Sequence, residues 1–196
     1  MKIIGITGGI GSGKSVACKI LQKAGIPVLY SDPIAKEVMD SDEEIKRDLI
    51  IEFGEEVYKD DKINKEFLSE LIFSNRENLH IINTIVHPKV ISYLEEKIYK
   101  EFEKEEIVCV ESALIFESKI EAMFNYIIAI TAPEEMRIHR VLDRDDTTYG
   151  EIKQRIDSQY PEETKTGLAD FVIQNVGTIE QLEKNLLFFI NLIRKI

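Results

Sequence analysis

The sequence predicts an α/β fold, a parallel sheet flanked by helices, on three observations. Five short apolar runs, Ile3 to Ile6, Val28 to Tyr30, Ile107 to Val110, Tyr126 to Ile130 and Phe171 to Ile173, lack the polar alternation of a half-solvated sheet and read as strands buried on both faces. The stretches between them carry helical spacing, which gives the strand and helix alternation of a layered domain. Between the first run and the helix after it lies Gly8-Gly9-Ile10-Gly11-Ser12-Gly13-Lys14-Ser15, which fits G-x-x-x-x-G-K-[ST]. Strand before and helix after make this the phosphate-binding loop of the P-loop NTPase fold.

The 196 residues suit one domain, and 44% hydrophobic content supplies a substantial core. Acidic residues outnumber basic ones 36 to 25, a net charge of −11 that argues against nucleic-acid or anionic-membrane binding. A nucleotide site must therefore be positive locally. Cys18 and Cys109 lie far apart in sequence and read as buried thiols in a reducing compartment. The N-terminus reads as the first strand, not as a signal peptide, and no run is long enough to span a bilayer. These features point to a cytoplasmic protein.

Taken in order, the first strand feeds a loop whose glycines let backbone N–H groups face a polyphosphate, assisted by the positive end of the following helix. Lys14 can reach the β- and γ-phosphates, and the Ser15 hydroxyl can ligate Mg²⁺. The second strand ends at Ser31-Asp32-Pro33. Asp32 is either a helix N-cap, with Ser31 as competitor, or a carboxylate that orients an acceptor hydroxyl. Residues 33–105 follow as a helical insertion with little strand signal, too long for an ordinary crossover. Ile81, Ile85, Val86, Val90 and Leu94 suggest its apolar faces, and it either binds a second substrate or is purely structural. His87-Pro88 within it reads as a helix junction.

The third strand ends in Glu111, where a carboxylate can hold Mg²⁺ directly or through water, although any parallel strand can end in an acid. After Pro133 a helix places Arg137, Arg140 and Arg144 on one face. They are either a cation cluster for the transferring phosphoryl group or a solvated basic face. The polar segment 140–166 reads as a lid. The last helix starts at Thr178-Ile179-Glu180-Gln181, a capping-box pattern, and buries Leu182, Leu186, Phe189 and Ile193. These parts suit several acceptors, so a small nucleoside or nucleotide kinase and a non-catalytic nucleotide-binding module both remain open.

In order, these residues resemble the dephospho-coenzyme A (dephospho-CoA) kinase family. The resemblance runs through Gly5 to Ser15, Gly25-Ile26-Pro27-Val28, Asp32-Pro33-Ile34-Ala35 and Asn83-Thr84-Ile85-Val86-His87-Pro88. It continues through Leu114-Ile115-Phe116-Glu117, Arg140 to Asp145, Arg155 to Gln159 and Ala169 to Asn175. It implies a nucleotide-binding core, a helical coenzyme A-binding part and a lid. It also implies transfer of the ATP γ-phosphate to the ribose 3′-hydroxyl of dephospho-CoA, with Mg²⁺. On that likeness Gly11, Ser12, Gly13, Lys14, Ser15 and Val16 cradle ATP, and Asp32 is the acceptor-side carboxylate. Arg140 stabilises phosphate charge, the His87 region serves the substrate part, and Asn175 lies near the adenine. The family's usual Asp-x-Asp is Tyr30-Ser31-Asp32 here. Its Asp-x-Pro-Leu-Leu is Glu111-Ser112-Ala113-Leu114-Ile115, and a common glutamine is Arg137.

Overall fold

The computed structural model describes the backbone of all 196 residues and the side chains of all but residues 72–74 and 76. Two compact units are present, one formed by Met1–Leu29 with Glu101–Ile196, the other by Tyr30–Lys100.

The first unit is built on five strands, β1 (Lys2–Thr7), β2 (Val28–Tyr30), β5 (Ile107–Glu111), β6 (Tyr126–Thr131) and β7 (Phe171–Gln174), in the order β2-β5-β1-β6-β7. β1 runs parallel to β5 and β6, and β6 parallel to β7, with Ile4 opposite Cys109 and Ile130 opposite Ile173. The apolar runs named from sequence are these strands. Ile4, Ile6, Val108, Val110, Ile128 and Ile130 are fully buried, as strands covered on both faces require. Helix α1 (Lys14–Lys23) buries Ala17, Cys18, Ile20 and Leu21, and packs on α9 (Ile179–Lys195).

The face of α9 differs slightly from expectation. Ile190, not Phe189, is buried with Leu182, Leu186 and Ile193, a stripe of i+4 and i+3 steps as 3.6-residue periodicity dictates. Phe189 instead stacks on Phe171 of β7 at a ring separation of 4.9 Å. Only half of the expected capping box forms: Thr178 Oγ1 accepts from Gln181 N at 3.3 Å. A complete box sits at α7 (Tyr149–Asp157), where the T-x-x-E pair Thr148 and Glu151 cap each other. Helices α6 (Glu134–Arg144) and α8 (Glu162–Leu168) complete this unit.

The second unit holds α2 (Ser31–Ser41), α3 (Glu43–Phe53), α4 (Lys65–Ser74) and α5 (Arg76–Glu101). It also contains a hairpin, β3 (Tyr58–Lys59) with β4 (Lys62–Ile63), in a stretch expected to be helical. Its turn residues Asp60 and Asp61 have φ of 51° and 62°, the mirror-image turn that matches strand twist. Two bonds from the α2 end fix it: Asp40 Oδ1 accepts from Ile63 N at 2.8 Å, and the Tyr58 hydroxyl donates to Met39 O at 2.7 Å. Asp42 caps α3, accepting from Glu44 N and Ile45 N at 3.0 Å.

The expectation of a junction at His87-Pro88 is corrected, because α5 runs through Pro88 without a break. Ile82, Val86, Val90, Leu94 and Ile98 bury one continuous stripe, and that packing offsets the hydrogen bond lost at proline. At the start of α2 neither sequence candidate caps the helix. Tyr30 occupies the cap position, Ser31 is buried and Asp32 is exposed in the first turn.

Cys18 and Cys109 are free and fully buried. Burial, reinforced by the Glu111 carboxylate, pushes the Cys18 thiol up to about 12, and burial raises Cys109 as well. Thiolate is the reactive form. The native protein at pH 8 should therefore leave both thiols untouched by a thiol-specific reagent, with both reacting in denaturant. Rapid labelling of either thiol before unfolding would contradict this packing.

Candidate functional site

The loop between β1 and α1 sits at the carboxyl ends of the central strands, where open α/β sheets bind ligands. Gly13 precedes α1 with a left-handed φ of 103°, and no side chain caps the helix. The first amides of a helix have no intrahelical partner, so this end suits an anion. A Cβ on Gly13 would strike the Asn175 amide, so glycine is required by both conformation and space.

The loop carbonyls of Gly8, Gly9, Ser12 and Gly13 are each paired. Lys14 Nζ donates to Gly8 O at 2.9 Å and Gly9 O at 3.3 Å, and lies 3.9 Å from Glu111 Oε1. Asn175 Nδ2 donates to Ser12 O at 2.8 Å. Gly13 O accepts from Val16 N at 3.0 Å and Ala17 N at 3.1 Å. By contrast, the hydroxyls of Ser12 and Thr7 are fully buried and have no partner among the described residues.

The three arginines of α6 do different work. Arg137 is buried and forms an ion pair with Glu162 at 3.1 Å. Burial raises the Glu162 carboxyl, and the Arg137 charge opposes that rise. Arg140 donates from Nη2 to Asn175 O at 2.8 Å, while its buried Nη1 has no partner among the described residues. Arg144 is exposed and makes a bidentate pair with Asp145 at 2.7 and 2.8 Å. The one-face pattern seen in sequence is thus divided among an interior pair, a loop contact and a solvated pair.

The remaining candidates take these positions. Asn175 is buried, held by its own N–H to Thr131 O at 2.7 Å, and its side chain supports the P-loop. Ser15 is exposed, Gly11 and Val16 are half-buried, and Glu111 terminates β5 beside Ile6 of β1. Ser15 and Glu111 are hard oxygen donors, the kind Mg²⁺ takes in small number alongside substrate phosphates and water. Among the described residues, no three of His, Cys, Asp and Glu gather to enclose a metal. The donors present therefore fit a nucleotide-borne ion better than a protein cage. Asp32 and His87 belong to the second unit, and burial holds the His87 imidazole below its ordinary value.

Sequence reasoning missed two groups here. Lys165 is almost fully buried and pairs with Glu117 at 2.7 Å while donating to Ala113 O at 2.6 Å. Glu117 lies in a motif already quoted, but nothing local signals its partner. Glu162 was likewise invisible as the partner of Arg137. If Asn175 supports the loop, Asn175→Ala should lower stability by about 1–3 kcal/mol in urea unfolding, because it leaves the Ser12 carbonyl short of a donor. An unchanged midpoint would remove that role.

A profile described as dephospho-CoA kinase matches residues 2–181. The dephospho-CoA kinase of Listeria monocytogenes serotype 4b (strain F2365) is 35% identical over 191 residues, 96% of each chain. Among solved structures, TT1252 from Thermus thermophilus is 33% identical, with a TM-score of 0.84 over 97% of this chain and 96% of that one. The dephospho-CoA kinase from Campylobacter jejuni is 27% identical, with a TM-score of 0.72 over 98% of this chain and 97% of its own. Among the described residues no helix is long and apolar enough to cross a membrane. With the family profile matching residues 2–181 and a relative 35% identical over 96% of each chain, the chain belongs to the dephospho-CoA kinase family.

Proposed function

We propose that this chain transfers the γ-phosphate of ATP to the ribose 3′-hydroxyl of dephospho-CoA, giving CoA and ADP. The observation that carries this reading is a complete phosphate loop between β1 and α1 in a chain that matches one kinase family over residues 2–181. Residues Gly11 to Val16 cradle the triphosphate, with the uncapped end of α1 beneath it. Lys14 leaves the Gly8 and Gly9 carbonyls for the β- and γ-phosphate oxygens, which carry full negative charge and bind an ammonium more strongly.

Arg140 has a buried Nη1 without a partner among the described residues, which suits it to meet charge developing on the transferring group. Ser15 and Glu111 would hold Mg²⁺ brought by ATP, and the ion, when bound, neutralises charge on the β- and γ-oxygens. Asp32 lies two residues after β2, exposed in the first turn of α2, and is the residue assigned to orient the acceptor hydroxyl and receive its proton. We assign the acceptor to the helical region 33–105, including His87, and the role of lid to 140–166.

Purified protein with Mg-ATP should convert dephospho-CoA to a product one phosphoryl group heavier by mass spectrometry. Conversion of a nucleoside or nucleoside monophosphate in its place would overturn the assignment. Asp32→Asn should lower kcat by roughly 10²- to 10⁴-fold, the range for loss of a general base, with ATP binding unchanged. Full turnover in that variant would return Asp32 to a surface role. Lys14→Ala should weaken ATP binding by roughly tenfold or more, as expected for loss of a charge-assisted contact.

A further inference from the structure

Three side chains from outside the P-loop close four backbone groups on just two residues, Ile10 of the loop and Ala132 after β6. Gln159 Oε1 accepts from Ile10 N at 3.3 Å, and Arg137 Nη1 donates to Ile10 O at 3.4 Å. Arg137 Nε donates to Ala132 O at 3.1 Å, and Glu162 Oε1 accepts from Ala132 N at 3.2 Å. The ion pair between Arg137 Nη2 and Glu162 Oε2, at 3.1 Å, joins the two sets. Arg137 also forms the outer wall of the loop. A Cβ on Gly9 would strike its guanidinium, and a Cβ on Gly11, where φ is 76°, would strike its backbone carbonyl.

We infer that Arg137, Gln159 and Glu162 are positioning residues for ATP, which fix the P-loop from its outer side. The inference rests on the reading of this loop as the ATP site. None of the three is assigned to touch the nucleotide. A loop that presents amides to phosphates loses binding energy if those amides must first be ordered, so pre-fixing Ile10 raises affinity without adding a contact. The planar fork of arginine suits this position because it reaches Ala132 O, Ile10 O and Glu162 at once, which an ammonium on a single stem cannot reproduce. Gln159 and Glu162 flank the start of α8, so the same set ties the loop to the far end of the 140–166 segment.

The test measures Mg-ATP and dephospho-CoA affinities separately by calorimetry, beside the melting temperature and steady-state kinetics. Arg137→Gln should raise the Kd for ATP roughly tenfold and the KM for ATP in parallel, with the Kd for dephospho-CoA and kcat within about twofold. Arg137→Lys, which keeps the charge but not the fork, should fall between wild type and Arg137→Gln. Gln159→Ala removes only the bond to Ile10 N and leaves the ion pair intact. It should fold normally and weaken ATP binding about threefold or more, a separate readout if Arg137→Gln does not fold. Unchanged ATP affinity in a folded Gln159→Ala and Arg137→Gln, or equal losses for both ligands, would overturn the inference. Wild-type protein that binds ATP but does not phosphorylate dephospho-CoA would instead overturn the assigned reaction and leave this role standing.

Discussion

A backbone that turns its amides toward a ligand turns its carbonyls toward the protein, and buried carbonyls must be paired. That constraint organises the first unit of this chain. Gly8 and Gly9 are served by Lys14, Ile10 by Arg137, Ser12 by Asn175, and Gly13 by the first turn of α1. The pairing groups come from α1, α6 and the residue after β7, so the loop is shaped by three separate parts of the sheet's carboxyl end. That crowding excludes side chains at Gly9, Gly11 and Gly13, which would collide with Arg137 or Asn175, and Gly11 and Gly13 also need their positive φ.

Lys14 differs from the other pairing groups. Asn175 and Arg137 are buried, whereas Lys14 carries its charge on a long stem with rotatable bonds, donates to Gly8 O and Gly9 O and lies beside Glu111. In the proposed reaction it can exchange two carbonyls for phosphate oxygens while the rest of the loop keeps its partners. Little reorganisation is then needed at the chemical step, which is the condition under which fixed dipoles and charges stabilise a transition state most. Arg140 stands in a similar relation, anchored by Nη2 to Asn175 O, with its buried Nη1 lacking a partner among the described residues.

The sheet was legible in the sequence because its strands are buried on both faces and therefore read as uninterrupted apolar runs. Ile107 to Val110 needed no context beyond its own composition. The P-loop was legible because its chemistry depends on residues adjacent in sequence. The Asp60-Asp61 hairpin was not, since two-residue strands carry almost no periodic signal and only the turn marks them. Continuity of α5 through Pro88 depends on burial along the whole stripe, which overrides the local preference to break. The roles of Asn175 and Arg137 were least accessible. A helical wheel places Arg137 beside Arg140 and Arg144, but only the fold shows that it turns inward to Glu162.

The phosphate loop is already fixed from outside, and in the proposed reaction ATP binding rearranges Lys14 but not the backbone. A crystal structure of the chain with Mg²⁺ and a non-hydrolysable ATP analogue tests this most directly. It should show residues 8–15 within about 1 Å of their positions here, with Arg137 still on Ile10 O and Asn175 still on Ser12 O, and Lys14 moved to phosphate oxygens. A loop that refolds on binding and releases those two carbonyls would contradict it.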